Sequence, residues 1–282
     1  MSYTFGADPE LFCLDTKSGK FISVHDLLPG TKADPFKVEN GAVQVDGLAA
    51  EFNIDPASTL KEFRKNIKSV RSQIEEMIQK NGGKHLVLKA IPTATFDQAY
   101  FDNLPPDTKV LGCEPDYCGQ KRAVNPRPDP GNKPFRTGGG HVHIGWGNGF
   151  DLKDPAHFND CCLLAYNLYN NGMNKDYLWD GDNQRRKLYG SAYSFRPKSF
   201  GMEFRYLSNA WVDNDDALEF VYKTAAAVVE RMDASLGDIK EAVARRSFAV
   251  PESLLKKDKY AFYDKRNDIS PISFQSVYGY NT

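Results

Sequence analysis

Long hydrophobic runs are missing from this chain of 282 residues. The longest aliphatic block, Ala225 to Val229, is closed in by Lys223 and Glu230, so neither a membrane span nor an export leader is expected. An excess of one charge is missing too. The 36 Lys and Arg nearly balance 37 Asp and Glu, which argues against a generic electrostatic grip on nucleic acid or on an anionic membrane. Cysteine is scarce and odd in number, with 5 in all; Cys161 and Cys162 are adjacent in a helical pattern, and Cys113 and Cys118 fall outside the usual zinc-knuckle spacing. Idle thiols in a cytoplasmic protein are expected, not a disulfide framework. The chain also lacks a Gly-x-x-x-x-Gly-Lys-Ser/Thr loop, a Gly-x-Gly-x-x-Gly turn opening a helix, and a Gly-x-Ser-x-Gly elbow, so the common phosphate-loop, dinucleotide and serine-hydrolase readings lose support. No internal repeat or long linker divides it, and residues 1–282 are read as one domain.

What is present is a mixture of strand and helix patterns without strict alternation. Thr4 to Leu14 and Val43 to Ile54 are expected as strands, separated by a turn-rich insert with Pro29-Gly30, Asp34-Pro35 and Asn40-Gly41. A helix follows: Thr59-x-x-Glu62 is a capping box, apolar residues recur at Leu60, Phe63, Ile67, Val70, Ile74 and Met77, and Asn81-Gly82-Gly83 stops it. His85 to Ile91 and Gly201 to Leu207 are further strands. Asp154-Pro155 opens a helix through about Tyr169, and Asp213 to Met232 and Ser235 to Arg246 are read as two more. The proline-rich run from Pro126 to Pro134 is a long loop, and Ser247 to Thr282 is a tail that wraps the domain or stays partly disordered. An antiparallel-rich α+β domain follows.

Polar residues recur two apart on the strands, which puts both members of each pair on one sheet face. The pairs are Asp8 and Glu10, Glu51 and Asn53, His141 and His143, and Glu203 and Arg205, with Gly138, Gly139 and Gly140 letting the backbone come close to something bulky or charged. Four such pairs suggest one polar cavity. Converging acids would raise each other's pKa unless cations sat among them, and carboxylates joined by one imidazole select Mg²⁺ or Mn²⁺. Arg205 cannot ligate a metal, but its fork suits phosphate oxygens. Arg136, Arg185-Arg186-Lys187 and Arg196 add loop cations. Residues alone leave open a ligase, a phosphotransferase, a metal-dependent hydrolase around a bound hydroxide, and an inactive binding module.

Four blocks in order, Phe5-Gly6-Ala7-Asp8-Pro9-Glu10-Leu11-Phe12, Ala50-Glu51-Phe52-Asn53, Gly138 to Gly145 and Gly201-Met202-Glu203-Phe204-Arg205, resemble the carboxylate-amine ligases of the glutamine synthetase and glutamate-cysteine ligase superfamily. The closest resemblance is to the phage-type amidoligase (type 2) family, through Arg186-Lys187-Leu188-Tyr189-Gly190 and Leu207-Ser208-Asn209-Ala210-Trp211 as well, and it runs from about Tyr3 to Val212. It implies an antiparallel sheet curved into a half barrel, helices on the convex face, and the segment 213–282 wrapping the sheet. It also implies ATP and two or more Mg²⁺ or Mn²⁺ ions on the concave face. By that resemblance Asp8, Glu10, Glu51, His141 and Glu203 are metal ligands. Arg136, Gly139, Gly140, His143 and Arg205 contact the nucleotide, and Arg196, Arg205 and Glu203 are catalytic. The implied reaction joins a small-molecule carboxylate, free or carried on a larger molecule, to an amine through an acyl phosphate, in the host cytoplasm if the chain is phage-encoded. An oligomer is compatible with it. Asp8 stands where the family more often has glutamate, and a further acid near Glu51 must be Asp46 or Asp55. Asp46 is five residues from Glu51, hence on the opposite face of a continuous strand unless Gly47 makes a bulge. Glu114 or Asp116 is the candidate base, and Glu203→Gln and His141→Ala are expected to abolish turnover while leaving the fold intact.

Overall fold

A computed structural model describes residues 3–109, 116–126, 133–174 and 183–244. The chain begins with the long strand β1 (Thr4–Asp15), the short strands β2 (Lys20–Ile22) and β3 (Phe36–Val38), and a hairpin of β4 (Gly41–Asp46) and β5 (Ala49–Ile54). Helix α1 (Leu60–Gly82) leads to β6 (Leu86–Lys89), β7 (Thr93–Thr95) and the single-turn α2 (Gln98–Asp102). Then come β8 (Tyr117–Cys118), β9 (Ala123–Val124), β10 (Phe135–Thr137), β11 (Gly140–Gly145) and α3 (Pro155–Leu168). A short α4 (Asn183–Arg186), β12 (Ser194–Lys198), β13 (Gly201–Phe204) and α5 (Asp215–Ala244) complete the described residues.

The fold is mixed α and β, built on a large antiparallel sheet that does not close into a barrel. Its strands run β3-β4-β5-β1-β11-β13-β12-β8-β9, with β2 and β6 also on β1, and β7 pairs β10 in a separate ribbon. Strand β1 changes partners along its length: Thr4 to Pro9 pair with β11, Glu10 and Leu11 with β5, and Phe12 to Asp15 with β6. Side-chain alternation then sorts its residues. Phe5, Ala7, Leu11 and Cys13 enter the main core with Phe52, Val142, Ile144 and Phe204, whereas Gly6, Asp8 and Glu10 face the other way. The main core is closed by α1, α3 and α5, which pack on that face of the sheet and on one another. Beyond Glu10 the opposite face turns apolar at Phe12, which joins Leu48, Ala94, Phe96 and Phe101 in a second, smaller core beneath the β7–β10 ribbon. The polar stretch between these two apolar bodies is where a cavity opens.

Helix α1 forms as its capping box dictates, with Thr59 accepting from the Glu62 amide, and it buries Phe63, Ile67, Val70, Ile74 and Ile78. Ile78 replaces the expected Met77, because the buried stripe drifts with the helix's 3.6-residue period. Asp154 caps α3 and Pro155 takes its first turn; the helix ends at Leu168, one residue early, in a wide turn through Gly172. Four expectations are corrected. The insert between the first two predicted strands contains β2 and β3. The stretch from Val43 to Ile54 is a hairpin and not one strand: Gly47, at φ 57°, reverses the chain with Leu48. Pairing in β13 stops at Phe204, three residues before Leu207. The two expected C-terminal helices are a single helix, α5, since neither Asp233 nor Ala234 breaks the turn-to-turn pattern. Cys13, Cys118, Cys161 and Cys162 are free and buried, and burial pushes the Cys13 and Cys162 thiols up to about 12. Cys113, Glu114, Arg246 and the tail 247–282 lie outside the described residues.

Candidate metal and phosphate site

Register across four adjacent strands brings the polar pairs onto one face as a ladder. Thr4, Gly145, Gly201 and Lys198 form one rung of strand partners; Gly6, His143, Glu203 and Arg196 form the next. Asp8 lies opposite His141, and Arg205, which would continue that rung, bonds through its amide to Ser194. Glu10 then pairs with Glu51, and Glu51 with Gln44. Because strand side chains alternate, all of these share the face away from the main core. All but Gly201 and the fully buried Glu203 line a cavity of about 790 Å³, a volume within the range of small-molecule and cofactor sites. A smaller cavity of about 60 Å³ lies beside it, with Glu10, Asp46, His141 and Arg205 on both walls.

At the centre of the ladder, one ligand atom from each of Asp8, His141 and Glu203 lies within 4.8 Å of the other two. His141 Nδ1 stands 3.1 Å from Asp8 Oδ1 and 3.4 Å from Glu203 Oε1, and His143 Nε2 stands 3.2 Å from Asp8 Oδ2. Yet Asp8 Oδ1, His141 Nδ1 and His143 Nε2 are buried without an aligned hydrogen bond. Buried polar atoms in native proteins are nearly always satisfied, so donors facing one another in this way suit a bound cation. Two carboxylates and an imidazole are a donor set for Mg²⁺ or Mn²⁺. Burial pushes the Asp8 carboxyl up, but His143 and then His141 outweigh it and hold it well below the usual carboxylate range. His141 is held below the ordinary imidazole value by burial and by Arg205, while the field of Asp8 overcomes burial at His143 and raises it.

Glu203 is fully buried, and three cations converge on it: Arg205, Arg196 at 3.3 Å and Lys198 at 2.8 Å. Against the upward push of burial, Arg205 first and then His141, Lys198 and Arg196 hold it well below its ordinary value. Arg205 also reaches Asp116 at 3.4 Å, and Glu203 is the main cause that keeps it charged despite burial. One rung further on, the charge balance reverses. Glu10, Glu51 and Asp46 lie together on the wall; burial raises all three, Asp46 and Asp8 add to the rise of Glu10, which reaches about 7, Asp8, Glu10 and Asp46 add to that of Glu51, and Asp8 adds to that of Asp46. Glu10 accepts from the Gly139 amide at 2.9 Å and Glu51 from Gln44 at 2.5 Å, but among the described residues no side-chain cation pairs with either. Glu10 and Glu51 therefore line the cavity without joining the close Asp8, His141 and Glu203 trio.

The hairpin resolves the position of Asp46. Asp46 pairs with Ala49 across the Gly47-Leu48 turn and so shares a face with Gln44 and Glu51, where a continuous strand would have turned it away. Asp55 is exposed. Lys198 is a further cavity residue that the sequence reading passed over, although Arg196-x-Lys198 is the same alternation that marked the other pairs. Lys32, from the insert, also lines the cavity and offsets part of the rise at Asp46. Three expected nucleotide contacts are placed differently. Arg136 is buried on the smaller cavity with its guanidinium on the carbonyls of Lys133, Phe135 and Lys109 and over the Phe101 ring. Gly139 spends its amide on Glu10, and a Cβ there would strike the His141 ring at 2.5 Å. Gly140 faces protein: a Cβ would lie 2.3 Å from Ser208 O and 2.7 Å from Trp211 Nε1. The glycines thus admit the segment from Ser208 to Trp211 and the His141 ring. Arg185 and Arg186 also turn inward, Arg185 onto the carbonyls of Gly138, Tyr206 and Leu207 and Arg186 over the Tyr206 ring, while Lys187 is exposed.

Among the described residues no helix is long and apolar enough to cross a membrane. No protein-family model matches the chain, and no curated protein matches it.

Proposed function

We propose that this chain is an ATP-dependent carboxylate-amine ligase of the amidoligase kind, with a glutamine synthetase-like catalytic fold whose half-barrel sheet carries the site on its concave face and helices on its convex face. The observation that carries the reading is the trio Asp8, His141 and Glu203 set among Arg196, Lys198 and Arg205, at a cavity that all of these but the fully buried Glu203 line and that is large enough for a nucleotide. The ordered sequence blocks supply the reaction class.

Asp8, His141 and Glu203 would hold a divalent ion, with Glu10, Glu51 and Asp46 as the acids for a further one; such ions would supply neutralisation of phosphate charge. The chain's own cations do the rest. Arg196 and Lys198 reach into the open cavity from one strand face, 15% and 30% exposed at their side chains, and would hold the phosphoryl group as it passes to the substrate carboxylate. Arg205, deeper and tied between Glu203 and Asp116, fixes the position of Glu203. Fixed donors around developing charge cost no reorganisation at the moment of reaction, which is how such a site accelerates transfer. The amine then attacks the acyl carbon, the C–N bond forms as the C–O bond to phosphate breaks, and phosphate leaves. The proton that the amine gives up leaves with the phosphate or to solvent; Asp116 is engaged by Arg205 at 3.4 Å.

The test is ADP release across a panel of carboxylates and amines with Mg²⁺ or Mn²⁺, followed by product mass. Condensation with loss of one water per ADP supports the ligase. A stable phospho-product without condensation would identify a phosphotransferase, and hydrolysis that proceeds without ATP a metal-dependent hydrolase.

A further inference from the structure

Lys198 enters the cavity at the end of β12, where the chain reverses through Ser199 and Phe200 into β13. Each carbonyl from Lys198 to Gly201 is met by a donor from outside this hairpin. His157 Nε2 lies 3.0 Å from Lys198 O, and the Phe150 amide donates to Ser199 O at 2.9 Å. The amides of Trp146 and Gly147 donate to Phe200 O at 3.0 and 3.3 Å, and Cys161 Sγ lies 3.7 Å from Gly201 O. The amides belong to the segment that links β11 to α3, and the two side chains stand one helical turn apart on α3 itself.

His157 is held closely in this clamp. Its ring is 3% exposed, lies flat on Phe150 with centroids 4.4 Å apart and planes at 10°, and meets Trp146 at 5.6 Å. A carbonyl can only accept, so Nε2 carries the ring proton, while Nδ1 is buried without a hydrogen bond. Burial holds the imidazole below its ordinary value, which keeps the ring a neutral donor. An unsatisfied buried nitrogen costs stability that an apolar side chain of similar size would not. What sets the imidazole apart from leucine here is its bond to Lys198 O.

Lys198 has need of such a hold. An ammonium on a flexible four-carbon stem does little to fix its own position, and Lys198 is the last paired residue of β12, next to the turn. Its Nζ stands 2.8 Å from Glu203 Oε2 with the side chain 30% exposed, between the buried acid and the open volume. Misplacing a group that binds the reacting phosphate by about 1 Å costs on the order of a hundredfold in rate.

We propose that His157 is a positioning residue of the phosphate site: by bonding Lys198 O from α3, it fixes where the β12–β13 turn delivers the Lys198 ammonium. This rests on the phosphate role of Lys198 given above and extends the site to a residue that does not line the cavity.

A double-mutant cycle read by isothermal titration with Mn²⁺ and inorganic tripolyphosphate tests it. His157→Leu weakens tripolyphosphate by about three- to tenfold, the worth of one hydrogen bond, but changes it by less than about twofold when Lys198→Met is already present. His157→Gln, whose amide nitrogen falls near the place of Nε2, restores most of the affinity; His157→Asn, whose amide falls near Nδ1, does not. Should His157→Leu fail to fold, His157→Asn takes its place in the cycle. Equal weakening in both backgrounds would mean that His157 acts on the fold at large, and together with a His157→Leu or His157→Asn variant that binds as the wild type does, it is a result that overturns the positioning role while leaving the phosphate site standing. If the wild type does not bind tripolyphosphate, or Lys198→Met binds it equally well, the phosphate role of Lys198 falls and the positioning role with it.

Discussion

Lowering the pH of the metal-free protein from about 7 to about 5 is predicted to raise its melting temperature, opposite to the acid-induced loss that paired carboxylates produce. Glu10 is raised from 4.5 to about 7 by burial and by Asp46; Glu51 is raised by burial and by Asp8, Glu10 and Asp46, and Asp46 by burial and by Asp8. A carboxyl whose folded pKa exceeds its unfolded one stabilises the fold fully below the unfolded value, and this stabilisation is lost as pH rises through the folded value. For Glu10 that span corresponds to about 3 kcal/mol, or a shift on the order of 6 °C for a chain of this size. Asp8 and Glu203 act in the other direction, but their stabilisation is lost only below the ordinary carboxylate values, outside this window. His141 and His143 are displaced in opposite directions, so they contribute slopes of opposite sign. Mn²⁺ at neutral pH should remove the slope and add about 2.7 kcal/mol at a hundredfold excess over its Kd. Scanning calorimetry across this pH range, with and without Mn²⁺ and on Glu10→Gln, reads all three effects. A metal-free melting temperature that is flat, or falls toward acid, would refute the claim that these acids are held together without a cation.

Glu203→Gln is expected to abolish turnover and also to cost about 3 kcal/mol or more in chemical denaturation, because it leaves Arg205 buried without its main counter-charge; this revises the expectation that the fold would be untouched. Lys198→Met should weaken Mn²⁺–tripolyphosphate binding in titration while changing stability by less than about 1 kcal/mol, since its ion pair is part-exposed. Gly140→Ala should destabilise by about 1 to 3 kcal/mol in urea, because its Cβ would strike Ser208 O at 2.3 Å; wild-type stability there would contradict the packing role of the glycine.

Much of the ladder was legible because period-two alternation is a local property: Asp8 with Glu10, His141 with His143, and Glu203 with Arg205 need only a strand to share a face. What local pattern cannot supply is register between strands, and this is what decides that Asp8, His141 and Glu203 are the close trio while Glu10 and Glu51 stand a rung away. Asp46 was misplaced for a different reason. Asp46-Gly47 is an Asp-Gly hairpin signal with glycine at the first loop position, and it was passed over because the flanking apolar alternation was read as continuous, so two strands looked like one. The glycine run was read correctly as a site of close approach, but the approaching group is the Ser208 to Trp211 segment and the His141 ring. Arg185 and Arg186 illustrate a limit of composition: a basic cluster looks like surface until the fold gives it buried carbonyls to bond.

The central claim is that the alternating polar residues of separate strands gather divalent cations in one cavity. Anomalous diffraction from crystals soaked with Mn²⁺ and a non-hydrolysable nucleotide tests it most directly. The expected result is a peak in contact with Asp8, His141 and Glu203 and a further one at Glu10 and Glu51. Peaks elsewhere, or none in the cavity while the nucleotide is bound, would contradict it.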